Sequence, residues 1–148
     1  MAIPYGHERA RRVTMAACLL AGLLAGLLAA CTGPTNSLGE RLYLDGRGQQ
    51  GKVAFSRGPR WLSRGDFGCA TCHGEHGEGR FVRAGTIAAS APPVSRLVLR
   101  ARGYDRETLR RAITEGVSAE GRALSDYMPR WRLDADESSA LIDYLETL

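Results

Sequence analysis

The chain has 148 residues, 44% hydrophobic and 24% charged, with a formal net charge of +4 and a sequence pI near 9.1. That length suits one compact domain, and the ordinary balance of apolar and charged residues excludes a disordered or collagen-like chain. The basic pI points to an acidic partner, such as nucleic acid or an anionic membrane, only if the positive charge stays with the mature protein.

Residues 1–12 carry Arg9, Arg11 and Arg12 against a single Glu8, and residues 13–30 follow without a charge. A basic start and an apolar run read as an export signal. The run ends Leu28-Ala29-Ala30-Cys31, which resembles the bacterial lipobox. That resemblance implies cleavage before Cys31, lipidation of its thiol and acylation of the new N-terminus. Fatty chains contribute about 0.8 kcal/mol per buried methylene, enough for durable anchoring when several act together. An uncleaved membrane anchor and a simply secreted form are the competing readings, since eighteen apolar residues sit at the short edge of spanning length. The expected organisation is therefore 1–30 signal peptide of the lipoprotein type, 31–36 lipidated Cys31 and tether, and 37–148 the functional domain.

Three helices are predicted in that domain. The first covers 37–44, with Ser37 as N-cap, Glu40 three residues on, and a stop at Asp45-Gly46. The second covers 104–115, capped by Asp105, with Leu109, Ala112 and Ile113 on one face and Gly116 as the stop. The third runs from Asp134 to the end, with Ala140, Leu141, Tyr144, Leu145 and Leu148 at helical spacing. No strand of convincing alternation is visible, and Leu97-Val98-Leu99 fits either helix or extended chain. Between the helices lie long Gly-rich stretches, which count against a compact domain unless something other than side chains fills its core.

Cys69-Ala70-Thr71-Cys72-His73 supplies that filler, because Cys-x-x-Cys-His is the attachment signature of a c-type haem. Two thiols at this spacing reach the two vinyl groups of one haem, and the adjacent His can ligate iron. A zinc site needs four tetrahedral ligands, whereas only Cys69, Cys72, His73 and His76 remain after processing, crowded into eight residues. A thioredoxin-like dithiol wants a βαβ framework that is missing, and a plain Cys69–Cys72 disulfide is the structural alternative in an exported chain. Met1 and Met15 leave with the signal, so Met128 is the one Met of the mature chain, fifty-five residues after His73 in a Pro-stiffened loop. A lone Met is ordinarily core filling; here its place in the chain also suits a distal iron ligand.

At this point residues 38–148 resemble the class I cytochromes c, monohaem electron carriers with His/Met-ligated iron. The resemblance rests on Gly39 and Tyr43, on Cys69, Cys72, His73 and Gly74, on Gly77 and Gly79, and on Ala91-Pro92-Pro93-Val94. It continues through Leu109, Ala112, Ile113 and Gly116, Met128-Pro129-Arg130-Trp131, and Leu141, Tyr144 and Leu145. It implies an all-α fold of a few helices and long loops wrapped around one covalent haem c, bound through Cys69 and Cys72. His73 and Met128 would be the iron ligands. Gly39 and Tyr43 would cross Leu141 and Tyr144, and the Pro92 carbonyl, with Pro93 as alternative, would hold the His73 imidazole. One departure stands out: twenty-five residues separate Tyr43 from Cys69, more than typical members have. The extra stretch, 45–67, reads either as a surface loop, the favoured reading, or as a cover over the haem edge, with Trp61 or an Arg bonding a propionate. His76 reads as an exposed loop residue.

The resemblance implies membrane-tethered electron transfer rather than catalysis, between redox-partner proteins, with no small-molecule substrate. The protein would be exported and anchored facing the periplasm. A haem c subunit of a larger oxidoreductase, or a haem sensor or enzyme if Met128 is labile, are the alternatives. Removing residues 1–30 takes three of the 20 basic and one of the 16 acidic residues, leaving +2. Two haem propionates would cancel that, and the case for nucleic acid disappears with the signal.

Overall fold

The computed structural model describes residues 36–84 and 87–148. Residues 1–30, Cys31 and all of the tether but Asn36 lie outside the described residues. In chain order the elements are α1 (Leu38–Asp45), β1 (Arg47–Gly48), β2 (Gly51–Lys52), a 3-10 turn (Arg60–Arg64), α2 (Ala70–His73), β3 (Arg80–Ala84), β4 (Ile87–Ala91), α3 (Arg96–Ala101), α4 (Arg106–Thr114) and α5 (Ala135–Leu145). Five α-helices thus carry the described part of the chain, joined by loops and two short antiparallel hairpins.

The starts of α1, α4 and α5 follow from side chains that satisfy otherwise orphaned N–H groups. Ser37 Oγ accepts from Glu40 N at 3.1 Å at the start of α1. Asp105 and Thr108 form a reciprocal capping box at α4, as do Asp134 and Glu137 at α5. α1 ends on Gly46, whose φ of 66° is the left-handed conformation that favours glycine after a helix.

α1 and α5 pack most closely of all the helices. Gly39 makes the crossing possible, because a Cβ there would come within 2.8 Å of Tyr144 Cβ and of the Ala140 carbonyl carbon. One turn further on, Tyr43 is fully buried, its ring 5.4 Å from that of Tyr144. Leu42, Leu109, Ile113, Trp131, Leu141, Ile142 and Leu145 complete the core around them.

One feature differs from the sequence reading, and one open choice is decided. Arg80–Ala84 and Ile87–Ala91 pair as an antiparallel hairpin, Arg80 opposite Ala91. β4 is a run of Ala and Ser with no polar alternation, so its pairing leaves no periodic signal. Leu97-Val98-Leu99 lies within α3, with Leu99 buried and Leu97 81% exposed.

Candidate haem site

α2 is a single turn, and it begins where Cys69 O accepts from both Cys72 N at 3.1 Å and His73 N at 2.9 Å. This turn brings Cys69, Cys72 and His73 together into the lining of one cavity, about 980 Å³ including its open mouth. Gly74 follows with φ 85°, turning the chain away at once, and its carbonyl accepts from the Tyr43 hydroxyl at 2.6 Å. The α1–α5 crossing is thereby tied directly to the residue after the motif. Burial, the largest cause, pushes the Tyr43 phenol well above its ordinary range and keeps it a donor.

His73 Nδ1 lies 2.8 Å from the Pro92 carbonyl oxygen. A carbonyl can only accept, so Nδ1 carries the proton and Nε2 keeps its lone pair, as a metal ligand requires. Burial holds the imidazole below its usual pKa, with the Pro92 bond acting in the opposite direction. Pro92 is brought there by Gly79: with φ 76°, it lets the loop pass so close that a Cβ would come within 2.7 Å of Pro93 N. His76 is exposed, and its backbone N–H donates to Glu78.

Cys69 and Cys72 are not joined to each other as a disulfide. Burial pushes Cys69 up to about 12 and raises Cys72 as well. A redox-active Cys-x-x-Cys needs the opposite shift.

The remaining walls are mostly apolar. Val82 and Ala89, paired across the β3–β4 hairpin, face the cavity, as do Leu124, Met128, Pro129 and Trp131 from the loop before α5. Met128 therefore shares this cavity with His73. The stretch 45–67 corrects the surface-loop reading: Pro59, Trp61 and Leu62 line the same cavity, and Leu62 is only 2% exposed. The 3-10 turn gives the reason, since it folds two large apolar side chains inward over a space that the helices leave open. Phe67 stacks edge-on against Trp61 at 5.2 Å and supports it.

A haem fits this donor set. Two thiols and an imidazole share a mainly apolar cavity. Trp61, on its wall, keeps a buried indole N–H with no partner among the described residues. A carboxylate-bearing macrocycle would supply both the missing core and an acceptor for that N–H.

The cytochrome c family model matches residues 49–148, about two thirds of the chain. The chain belongs to the cytochrome c family. Neither the curated proteins nor the solved structures gave a match. Membership makes haem c the cofactor of this cytochrome, bound covalently through Cys69 and Cys72, and makes haem-based electron transfer its role. The helices and loops described above form the class I cytochrome c fold. α1 lies ahead of the matched stretch, which starts inside the long connection to the haem motif.

Sequence reasoning missed the wall made by Val82 and Ala89 and the burial of Arg130. An arginine beside a proline carries no signal of burial, and Ala-rich strands none of pairing. Trp61 was visible as a candidate, because an aromatic residue in a Gly-rich stretch is conspicuous.

Proposed function

We propose that this cytochrome is a one-electron carrier with His73 and Met128 as its two iron ligands, held at a periplasm-facing membrane through lipidated Cys31. The observation that carries the ligand assignment is that Met128, the one Met after the signal, lines the same cavity as His73. When bound, the haem supplies reversible one-electron chemistry at its iron.

The chain's own residues do the rest. Cys69 and Cys72 anchor the group, so that it is not lost on reduction or oxidation. The Pro92 carbonyl accepts a hydrogen bond from His73 Nδ1–H, which fixes the ring and raises its basicity as a ligand. The Met128 thioether, a soft neutral donor, favours the reduced ion and closes the position a substrate would need. Leu62, Val82, Leu124 and Trp131 exclude water, which makes the more charged oxidised state costlier. Trp61 N–H is available to a propionate. With the signal removed and two propionates added, the net charge is close to zero, which fits protein redox partners and not nucleic acid.

The ferric optical spectrum tests the ligand assignment. The weak long-wavelength band of sulfur–iron ligation is expected in the wild type and lost in Met128→Ala. Met128→His is expected to lower the midpoint potential by tenths of a volt, within the about 0.8 V that axial ligation spans. A wild type without the band overturns His/Met ligation. For the tether, Cys31→Ser is expected to move the protein from the membrane to the soluble periplasmic fraction, and unchanged membrane recovery overturns lipidation as the anchor.

A further inference from the structure

Arg130 does not line the cavity, yet it is only 6% exposed. A guanidinium so buried ordinarily has a carboxylate against it. Here the nearest acid is Asp126 at 3.9 Å, itself largely exposed, and it contributes little. The charge is satisfied by backbone instead. Arg130 Nη2 donates to Leu124 O at 2.9 Å, and Nη1 donates to Ser125 O at 3.3 Å and to Met128 O. Three carbonyls of one short loop, the loop that carries Met128, thus converge on one cation.

The cation itself is held firmly. Arg130 N donates to Arg57 O at 2.8 Å, and Arg130 O accepts from Ser56 N at 2.9 Å, so the stretch before the haem motif grips its backbone. Gly116 provides the space for its side chain, since the guanidinium occupies the place a Cβ would take. Gly116 O also accepts from Leu124 N at 2.8 Å, closing the other end of the loop.

We propose that Arg130 is the positioning residue that keeps the Met128 thioether in place, and that it thereby sets how readily an outside ligand replaces that thioether. This rests on the His/Met reading above. An outside ligand can reach the iron only when the 124–128 loop opens, so its apparent affinity is its intrinsic affinity multiplied by the open fraction. Removing the guanidinium strips three carbonyls of their common donor and raises that fraction.

Imidazole titrations of the ferric holoprotein, followed optically, test this. Wild type is compared with Arg130→Gln, Arg130→Lys, Met128→Ala and Gly39→Ala, the last being a variant weakened at the distant α1–α5 crossing. Arg130→Gln is expected to bind imidazole about tenfold more tightly than wild type or better, the factor that one charge-assisted hydrogen bond carries. Arg130→Lys, which keeps the charge but cannot fork across three carbonyls, is expected to lie between the two. Met128→Ala sets the fully open limit. Wild-type affinity in both Arg130 variants, with Met128→Ala open, overturns the positioning role alone. An equal gain in Gly39→Ala does the same, because the effect is then general loosening. A wild type as open as Met128→Ala removes the His/Met reading and the proposal together. If Arg130→Gln does not load haem, Arg130→Lys decides: no gain in affinity overturns the proposal.

Discussion

Tyr43 and Asp105 illustrate how one polar atom can set the behaviour of its surroundings. The Tyr43 hydroxyl is buried and donates to Gly74 O at 2.6 Å, so Tyr43→Phe leaves that carbonyl only its longer bond from Gly77 N at 3.3 Å. The expected cost is about 0.5–1.5 kcal/mol, read as a lower urea midpoint with an unchanged slope. The Asp105 carboxylate accepts from Thr108 N at 2.8 Å, and the Thr108 backbone and side-chain hydrogen bonds hold it below the usual carboxylate range. A depressed folded pKa stabilises above the unfolded value of about 3.9, and that contribution is lost as pH falls through the folded value. Asp105→Asn caps equally well at neutral pH but has no proton to gain. Its Tm is therefore expected to match wild type near neutrality and to fall less on acidification. An identical acid dependence in both proteins would sink this account of the cap.

At the scale of elements, the α1–α5 crossing and the 45–67 stretch do different work. The crossing depends on backbone proximity at Gly39, so even Gly39→Ala forces the helices apart. Overpacking of this kind costs about 1–3 kcal/mol, and a thermal melt of the holoprotein measures it. Unchanged stability would mean that the crossing widens freely. The 45–67 stretch is tied to the last helix and the chain before it through its first half. Glu137 of α5 accepts from Gln49 N at 2.9 Å, and Arg132 N donates to Ala54 O at 2.9 Å. Just past those ties, Phe55 packs edge-on against Trp131 at 5.8 Å. An extension that looks dispensable in sequence thus spans from the last helix to the Met128 loop and closes one wall of the cavity.

The whole molecule is organised around a space that its side chains do not fill. Among the described residues the longest helix has 11 residues, below the about 12–15 at which isolated helices become even marginal in water. The β3–β4 hairpin is a two-stranded ribbon, and it turns Val82 and Ala89 into the cavity. Such a ribbon is marginal without something packed on it. Replacing both Cys69 and Cys72 by Ala, so that the haem is not retained covalently, is therefore expected to leave a haem-stripped chain without a cooperative thermal transition and without near-UV circular dichroism. A stripped chain that still melts cooperatively would show that the side chains alone suffice as a core.

Much of this protein can be read from its sequence because the decisive signals are local. The Cys-x-x-Cys-His spacing names the cofactor chemistry within five residues. The caps at Ser37, Asp105 and Asp134 announce their helices through bonds that reach only three residues ahead. The Gly-rich connections reveal that something other than side chains must fill the interior. What only the tertiary structure decided is non-local. That Trp61 and Leu62 turn inward, that Val82 faces Ala89 across a hairpin, and that Arg130 is buried against the Met128 loop all depend on contacts between segments distant in sequence. Periodicity and capping report what a residue does to its own backbone. They are silent on which far segment will supply an acceptor or leave a wall open, because that is determined by packing and by the cofactor the chain wraps.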